Sequence, residues 1–267
     1  MSFLRGAVSA SFVSFALNCL LAGRKESSNA KLAELLVRVF ADELPHCSEG
    51  ASAMPLYTFR EQDANLASSA RGVSNAVTLL KARGVASRVL ITDVENAHLD
   101  NPIPFWSGAP EIMLAVRSAL GAGAAIEVIP FGFTDRVHTL REAQALVRYA
   151  KSAKLVDLVA IAPPFHLPRA FISTVSEALR EYPSLRVWAS SGGVLSWDEE
   201  ASHSQGIVGV RRTFIGSELR RIPTYTAKGD LAPASQVLAY LKRRGGGAVT
   251  CGGRGAAVLD AASRADL

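Results

Sequence analysis

Between residues 54 and 190 the chain alternates short, continuous apolar runs with longer stretches whose apolar residues recur at helical spacing. The runs at 54–59, 88–92, 125–130, 155–162 and 185–190 do not alternate apolar with polar as a half-exposed strand would. They read as strands buried on both faces. The stretches 67–83, 110–120, 140–152 and 169–181 read as amphipathic helices, and Ala70, Val73, Ala76, Val77 and Leu80 set the spacing of the first. Strand-helix alternation of this kind implies crossover connections and hence a mostly parallel sheet with helices on both faces. The expected fold is α/β, and in such sheets ligands collect outside the carboxyl ends of the strands.

The two ends of the chain are less regular. An apolar, small-residue run at 7–22 has Arg5 before it and Arg24-Lys25 after it, with no acid before Glu26. That pattern fits either a targeting segment within residues 1–25 or the start of a helix packed on the domain. Asn18 interrupts the run, which is shorter than the roughly 20 residues a membrane helix needs. Leu32, Leu35, Leu36, Val39 and Phe40 continue at helical spacing, favouring the packed helix. Residues 1–53 are thus an N-terminal helical segment, 54–244 the domain proper and 245–267 a glycine-rich, mobile tail. Beyond Trp197 the alternation stops: His203-Ser204-Gln205-Gly206 and residues 221–230 read as a meander, and 233–244 as a last amphipathic helix. The expected location is the cytoplasm, with export or organelle targeting through residues 1–25 as the alternative and no firm membrane association.

Composition excludes several functions. The net charge is +5, and residues 201–267 hold ten Lys or Arg against four Asp or Glu, so the body of the chain is close to neutral. The basic residues are scattered pairs such as Arg211-Arg212 and Arg220-Arg221, which read as solvated surface rather than a nucleic-acid groove. Three cysteines, Cys19, Cys47 and Cys251, are too far apart for a disulfide framework or a metal knuckle, and the five histidines show no ligand spacing. No G-x-G-x-x-G follows the first strand, where the chain reads Arg60-Glu61-Gln62-Asp63, and no Walker-type loop occurs.

Three strand-to-helix connections carry residues suited to chemistry. In the last, a buried strand runs into Pro163-Pro164-Phe165-His166-Leu167-Pro168-Arg169. A helix start favours anions, Arg169 offers a planar fork of donors, and His166 can exchange a proton near neutral pH. The plainer alternative is a histidine capping the strand end and an arginine pairing with a surface acid. Thr139 and Glu142 have the spacing of a capping box, which accounts for both, although the helix start also allows them to face a ligand. Ser107 and Gly108 can present hydroxyl and N–H groups, and Glu111 can orient a water; equally, Ser-Gly-Ala-Pro-Glu is a sound helix start. A serine nucleophile lacks its G-x-S-x-G elbow and an assignable acid partner for His166.

Taken in order, Ser107-Gly108 with Glu111, Thr139 with Glu142-Ala143, and His166-Leu167-Pro168-Arg169-Ala170 resemble the motifs of the YdcF-like family, a domain of unknown function that also includes SanA and ElyC. The match in order and spacing covers residues 54–190, about half the chain. A weaker similarity to a soluble bacterial branch lies in His203-Ser204-Gln205-Gly206 and Lys228-Gly229-Asp230-Leu231. The resemblance implies a Rossmann-like three-layer domain whose motif residues converge at the strand carboxyl ends. It also brings roles that range from S-adenosylmethionine binding to cell-envelope maintenance. The chain departs from the family where Arg60-Glu61-Gln62-Asp63 replaces a glycine-rich turn.

The expected function is binding of an anionic or nucleotide-like small molecule, with enzymatic action left open. Ser107, Gly108, Glu111, Thr139 and Arg169 are the expected ligand contacts, and His166 and Glu142 the candidate acid-base pair. S-adenosylmethionine is a cofactor only through the resemblance, and no metal is expected. The alternative is a non-catalytic, envelope-associated or regulatory interaction protein.

Overall fold

The computed structural model describes residues 26–42, 54–58, 86–94, 108–120, 125–133, 138–191, 196–203 and 207–245. Along the chain these form α1 (Glu26–Phe40), β1 (Met54–Thr58), β2 (Ala86–Asp93), α2 (Gly108–Leu120), β3 (Ile126–Pro130), α3 (Thr139–Ser152), β4 (Asp157–Ile161) and α4 (Leu167–Glu181). Then come β5 (Arg186–Ser190), a two-stranded hairpin of β6 (Glu200–His203) and β7 (Ile207–Val210), a 3-10 turn (Arg211–Phe214), α5 (Ile215–Ala227) and α6 (Ala234–Gly245). The apolar run 7–22, the helix expected at 67–83, the Arg60-Glu61-Gln62-Asp63 turn, Ser107 and residues 246–267 lie outside the described residues.

All five strands expected between 54 and 190 are present, in one parallel sheet of order β3-β2-β1-β4-β5. The protein is therefore α/β. The first three strands step outward from β1 to β3, after which the chain returns across the sheet to place β4 on the other side of β1. The strand order therefore reverses between β1 and β4, and in sheets of this kind ligands bind at the carboxyl ends of the strands flanking such a reversal. β4 is buried along its whole length, as its continuous Asp-Leu-Val-Ala-Ile run requires.

Helix α4 follows β4 and is buried from Leu167 through Ala178. A helix with no solvent face must satisfy its own polar side chains. Thr174 donates to the Ala170 carbonyl at 3.0 Å and Ser176 to the Ile172 carbonyl at 2.6 Å, while Ser176 Oγ accepts from Ala232 N–H at 2.7 Å. Leu32, Leu35, Leu36 and Val39 of α1 join the same core as β4, β5 and α4, so this helix is integral to the domain.

Strand β5 has an open edge, and such an edge must be covered if it is not to pair with other chains. Side chains from α6 and from the end of α1 cover it. Tyr240 accepts from Val187 N–H at 2.6 Å and donates to the Leu185 carbonyl at 2.9 Å. Asp42 accepts from Ala189 N–H at 2.8 Å, and Arg244 donates to Asp42 and to the Val187 carbonyl while lying 4.0 Å over the Trp188 ring. Burial pushes the Tyr240 hydroxyl up to about 12. Because the folded value lies above the unfolded one, the folded chain retains this proton longer, and stability should fall as pH rises through the interval between them. Unfolding free energies from urea titrations between pH 10 and 11.5 should fall more steeply for the parent than for Tyr240→Phe, by up to about 1.4 kcal/mol per pH unit. Parallel declines would show that Tyr240 titrates as freely folded as unfolded.

One expectation fails in the C-terminal third. Residues 221–230 are not a meander: α5 runs through to Ala227 despite Pro223 in its interior. Ile215, Leu219 and Ile222 lie at helical spacing and are buried in the core, and that packing outweighs the proline's penalty. The helix expected at 233–244 is present as α6.

Candidate functional site

The sequence of β4 dictates how it stops. Pro163 and Pro164 have no N–H to continue the ladder, so the chain turns; His166 and Leu167 N–H groups both donate to the Pro163 carbonyl, at 2.9 and 2.8 Å. The turn places His166 at the N-cap of α4 and Arg169 within its first turn, because the helix begins at Leu167, two residues before the expected start. Phe165 anchors the turn against Phe214, with ring centroids 5.3 Å apart.

The second wall of the site is the start of α3. At the end of β3, Gly132 adopts a left-handed φ of 70°, a conformation open to glycine without strain. Phe133 then lies between Arg141 and Arg148, whose guanidinium carbons are 4.3 and 4.5 Å from its ring centre. Glu142 N–H makes the first helical bond, to the His138 carbonyl, so His138 is the N-cap and Thr139 the first helical residue. The expected capping box is therefore absent. Thr139 is one position too late to cap, and its hydroxyl is turned toward α4 instead.

There it meets a buried polar cluster. Arg169 Nη1 donates to Thr139 Oγ1 at 2.7 Å, and Thr139 Oγ1 lies 3.5 Å from His166 Nε2. On the other side of the ring, His166 Nδ1 is 3.0 Å from Glu218 Oε2. Arg169 grips the same carboxylate with two donors, Nε to Oε2 at 2.6 Å and Nη2 to Oε1 at 3.1 Å. Arg221 adds a third charged bond, donating from Nη1 to Oε1 at 2.9 Å. The side chains of His166 and Arg169 are 9% exposed and that of Glu218 2%, so these charges interact with little screening from water.

The hydrogen bonds assign the histidine's tautomer. Arg169 Nη2 sits 3.2 Å from Nδ1 and would suit a bare nitrogen, but the carboxylate is closer and charged. A proton on Nδ1 serves Glu218, which leaves the Nε2 lone pair facing the Thr139 hydroxyl. Arg169, by occupying Thr139 Oγ1 as an acceptor, directs the hydroxyl proton away from itself and toward that lone pair.

The structure thus brings Thr139, His166 and Arg169 together across two helix N-termini. Glu142 is buried one turn further along α3. Gly108 begins α2, and Glu111 lies in the first turn of that helix. Sequence reasoning missed Glu218, the acid partner that His166 lacked. Its signal was available: Glu218 falls in the apolar stripe of Ile215, Leu219 and Ile222, where a lone acid has to be paired to be buried. Among the described residues no cluster of His, Cys, Asp and Glu has the makings of a metal site, and no helix is long and apolar enough to cross a membrane. No family model, curated protein or solved structure matches the chain.

Proposed function

We propose that this is a Rossmann-like, three-layer domain of the YdcF-like type that binds a small anionic molecule, nucleotide-like in its charged group, over the carboxyl ends of β1 and β4. The observation that carries the reading is the hydrogen-bonded cluster itself, which sets two guanidinium groups and an imidazole against one carboxylate where two helices begin. Its surplus of positive charge and both helix N-termini favour an anion. Arg169 has five N–H donors, of which Glu218 takes two and Thr139 one while a fourth faces the His166 ring, so the fork is held rigid with one Nη1 donor remaining for a ligand. His166 is the acid-base group and Glu218 its orienting acid, and Ser107, Gly108, Glu111 and Glu142 are kept as the further contacts that the sequence motifs suggest. The family resemblance supports the same location through its ordered motifs.

A thermal-shift panel of inorganic phosphate, nucleotides, sugar phosphates, S-adenosylmethionine and divalent metals tests this. A ligand at a hundredfold excess over its Kd stabilises by about 2.7 kcal/mol, a rise of roughly 5–10 °C for a domain of this size. Phosphate-bearing compounds should give that rise in the parent, and Arg169→Lys, which keeps the charge but not the fork, should lose most of it. A flat panel would favour the non-catalytic interaction protein instead.

A further inference from the structure

Resting on that reading, the geometry points to a specific activity: Thr139, His166 and Glu218 form a nucleophile, base and orienting acid for acyl transfer, and the substrate class is a carboxylic ester that also bears an anionic group.

Three features of the cluster carry this. The order hydroxyl, imidazole, carboxylate is complete, with separations of 3.5 and 3.0 Å, and the two ring nitrogens face the partners their roles require. The 3.5 Å step is longer than a well-made hydrogen bond, as catalytic contacts often are before substrate is bound. Arg169 Nη1 donates to the attacking oxygen, which favours charge developing on it and sends its proton to Nε2. Thr139 is also the first residue of α3, so its hydroxyl stands at a helix N-terminus, whose positive end favours an ester oxygen as it becomes an oxyanion.

The chemistry balances with ester and water as the only reactants. Thr139 Oγ1 bonds to the acyl carbon as its proton passes to His166 Nε2. The carbon-oxygen bond to the leaving alcohol breaks, and that alcohol takes the proton from Nε2. Water then adds to the acyl-threonine, giving its proton to Nε2; the Oγ1–carbon bond breaks, the carboxylic acid leaves, and Oγ1 recovers the proton. Glu218 acts through the ring and is a positioning residue.

The test treats the full chain with a fluorophosphonate, which loses fluoride to an activated hydroxyl, and maps the adduct by peptide mass spectrometry. Labelling should fall on Thr139 at least tenfold above any other Ser or Thr, persist in Thr139→Ser, and vanish in Thr139→Val and His166→Gln. Long-range 15N NMR of His166 should show the Nδ1–H tautomer in the parent and a shift toward Nε2–H in Glu218→Gln, a change that loss of packing alone would not produce. Absence of label on Thr139 in the folded parent, or an Nε2–H ring there, overturns the nucleophile. If phosphate still stabilises the unlabelled parent, the anion site stands without it; if phosphate also fails, both readings fall.

Discussion

Glu218→Ala should be the most damaging single substitution in the cluster, lowering the unfolding free energy by about 3–5 kcal/mol. Its carboxylate is met by Arg169 through two donors, by His166 and by Arg221. Removing it leaves the Arg169 guanidinium buried without its counter-charge, and an uncompensated buried charge costs far more than the intact pair contributes. Against a typical total of roughly 5–15 kcal/mol, such a loss would leave the chain marginal. Urea unfolding followed by tryptophan fluorescence gives the value directly. Glu218→Gln keeps an acceptor and should cost less, and adding Arg169→Met to Glu218→Ala should recover part of the loss by removing the stranded charge. A loss under about 1 kcal/mol for Glu218→Ala would mean that water reaches the cluster freely.

The second large effect lies on the far side of β5. Arg244→Ala should cost about 3 kcal/mol or more at neutral pH. It leaves the Asp42 carboxylate, whose side chain is 5% exposed, with the Ala189 N–H but without its cation, and uncovers Trp188. Burial already raises the Asp42 carboxyl above its ordinary value, with Arg244 opposing that rise. A raised acid binds its proton more tightly folded than unfolded, so stability falls as pH climbs from the ordinary value through the folded one and is flat above. Without Arg244 the folded value rises further. The Arg244→Ala penalty should therefore be full at pH 7 and shrink as acidification protonates Asp42. A penalty independent of pH would assign the loss to the Trp188 stack alone.

The fold was largely legible because β1 to β5 centre on short, mostly apolar runs bounded by turn residues, although β3, expected to be buried on both faces, is an edge strand that exposes Val128 and Pro130. Each lies within two residues of its expected bounds, and β4, read as 155–162 and found at Asp157–Ile161, shows the usual error at strand ends. Helix α5 was not legible. Gly216, Pro223 and the threonines at 224 and 226 argue locally for a turn, and only packing of Ile215, Leu219 and Ile222 onto the core overrides them. With 221–230 read as a meander and no helix read over 215–220, Glu218 stayed hidden. His166 and Arg169 were visible as residues aimed at a strand end; the apolar stripe of α5 marks Glu218 as paired, but nothing in the sequence says that its partner is His166, 52 positions away. The same holds for Asp42 and Arg244, 202 positions apart. Thr139 shows the opposite limit, since its spacing to Glu142 matched a capping box while its hydroxyl was needed elsewhere. A tertiary hydrogen bond to a buried guanidinium outweighs a cap that would serve the backbone alone.

The Thr139, His166, Arg169 and Glu218 cluster is proposed as the floor of an anion site. Titration of 15N-labelled protein with inorganic phosphate, followed by NMR, tests it most directly. The His166 ring nitrogens and the first-turn amides of α3 and α4 should shift together with a single Kd. A silent His166 ring with shifts confined to surface amides would contradict the claim.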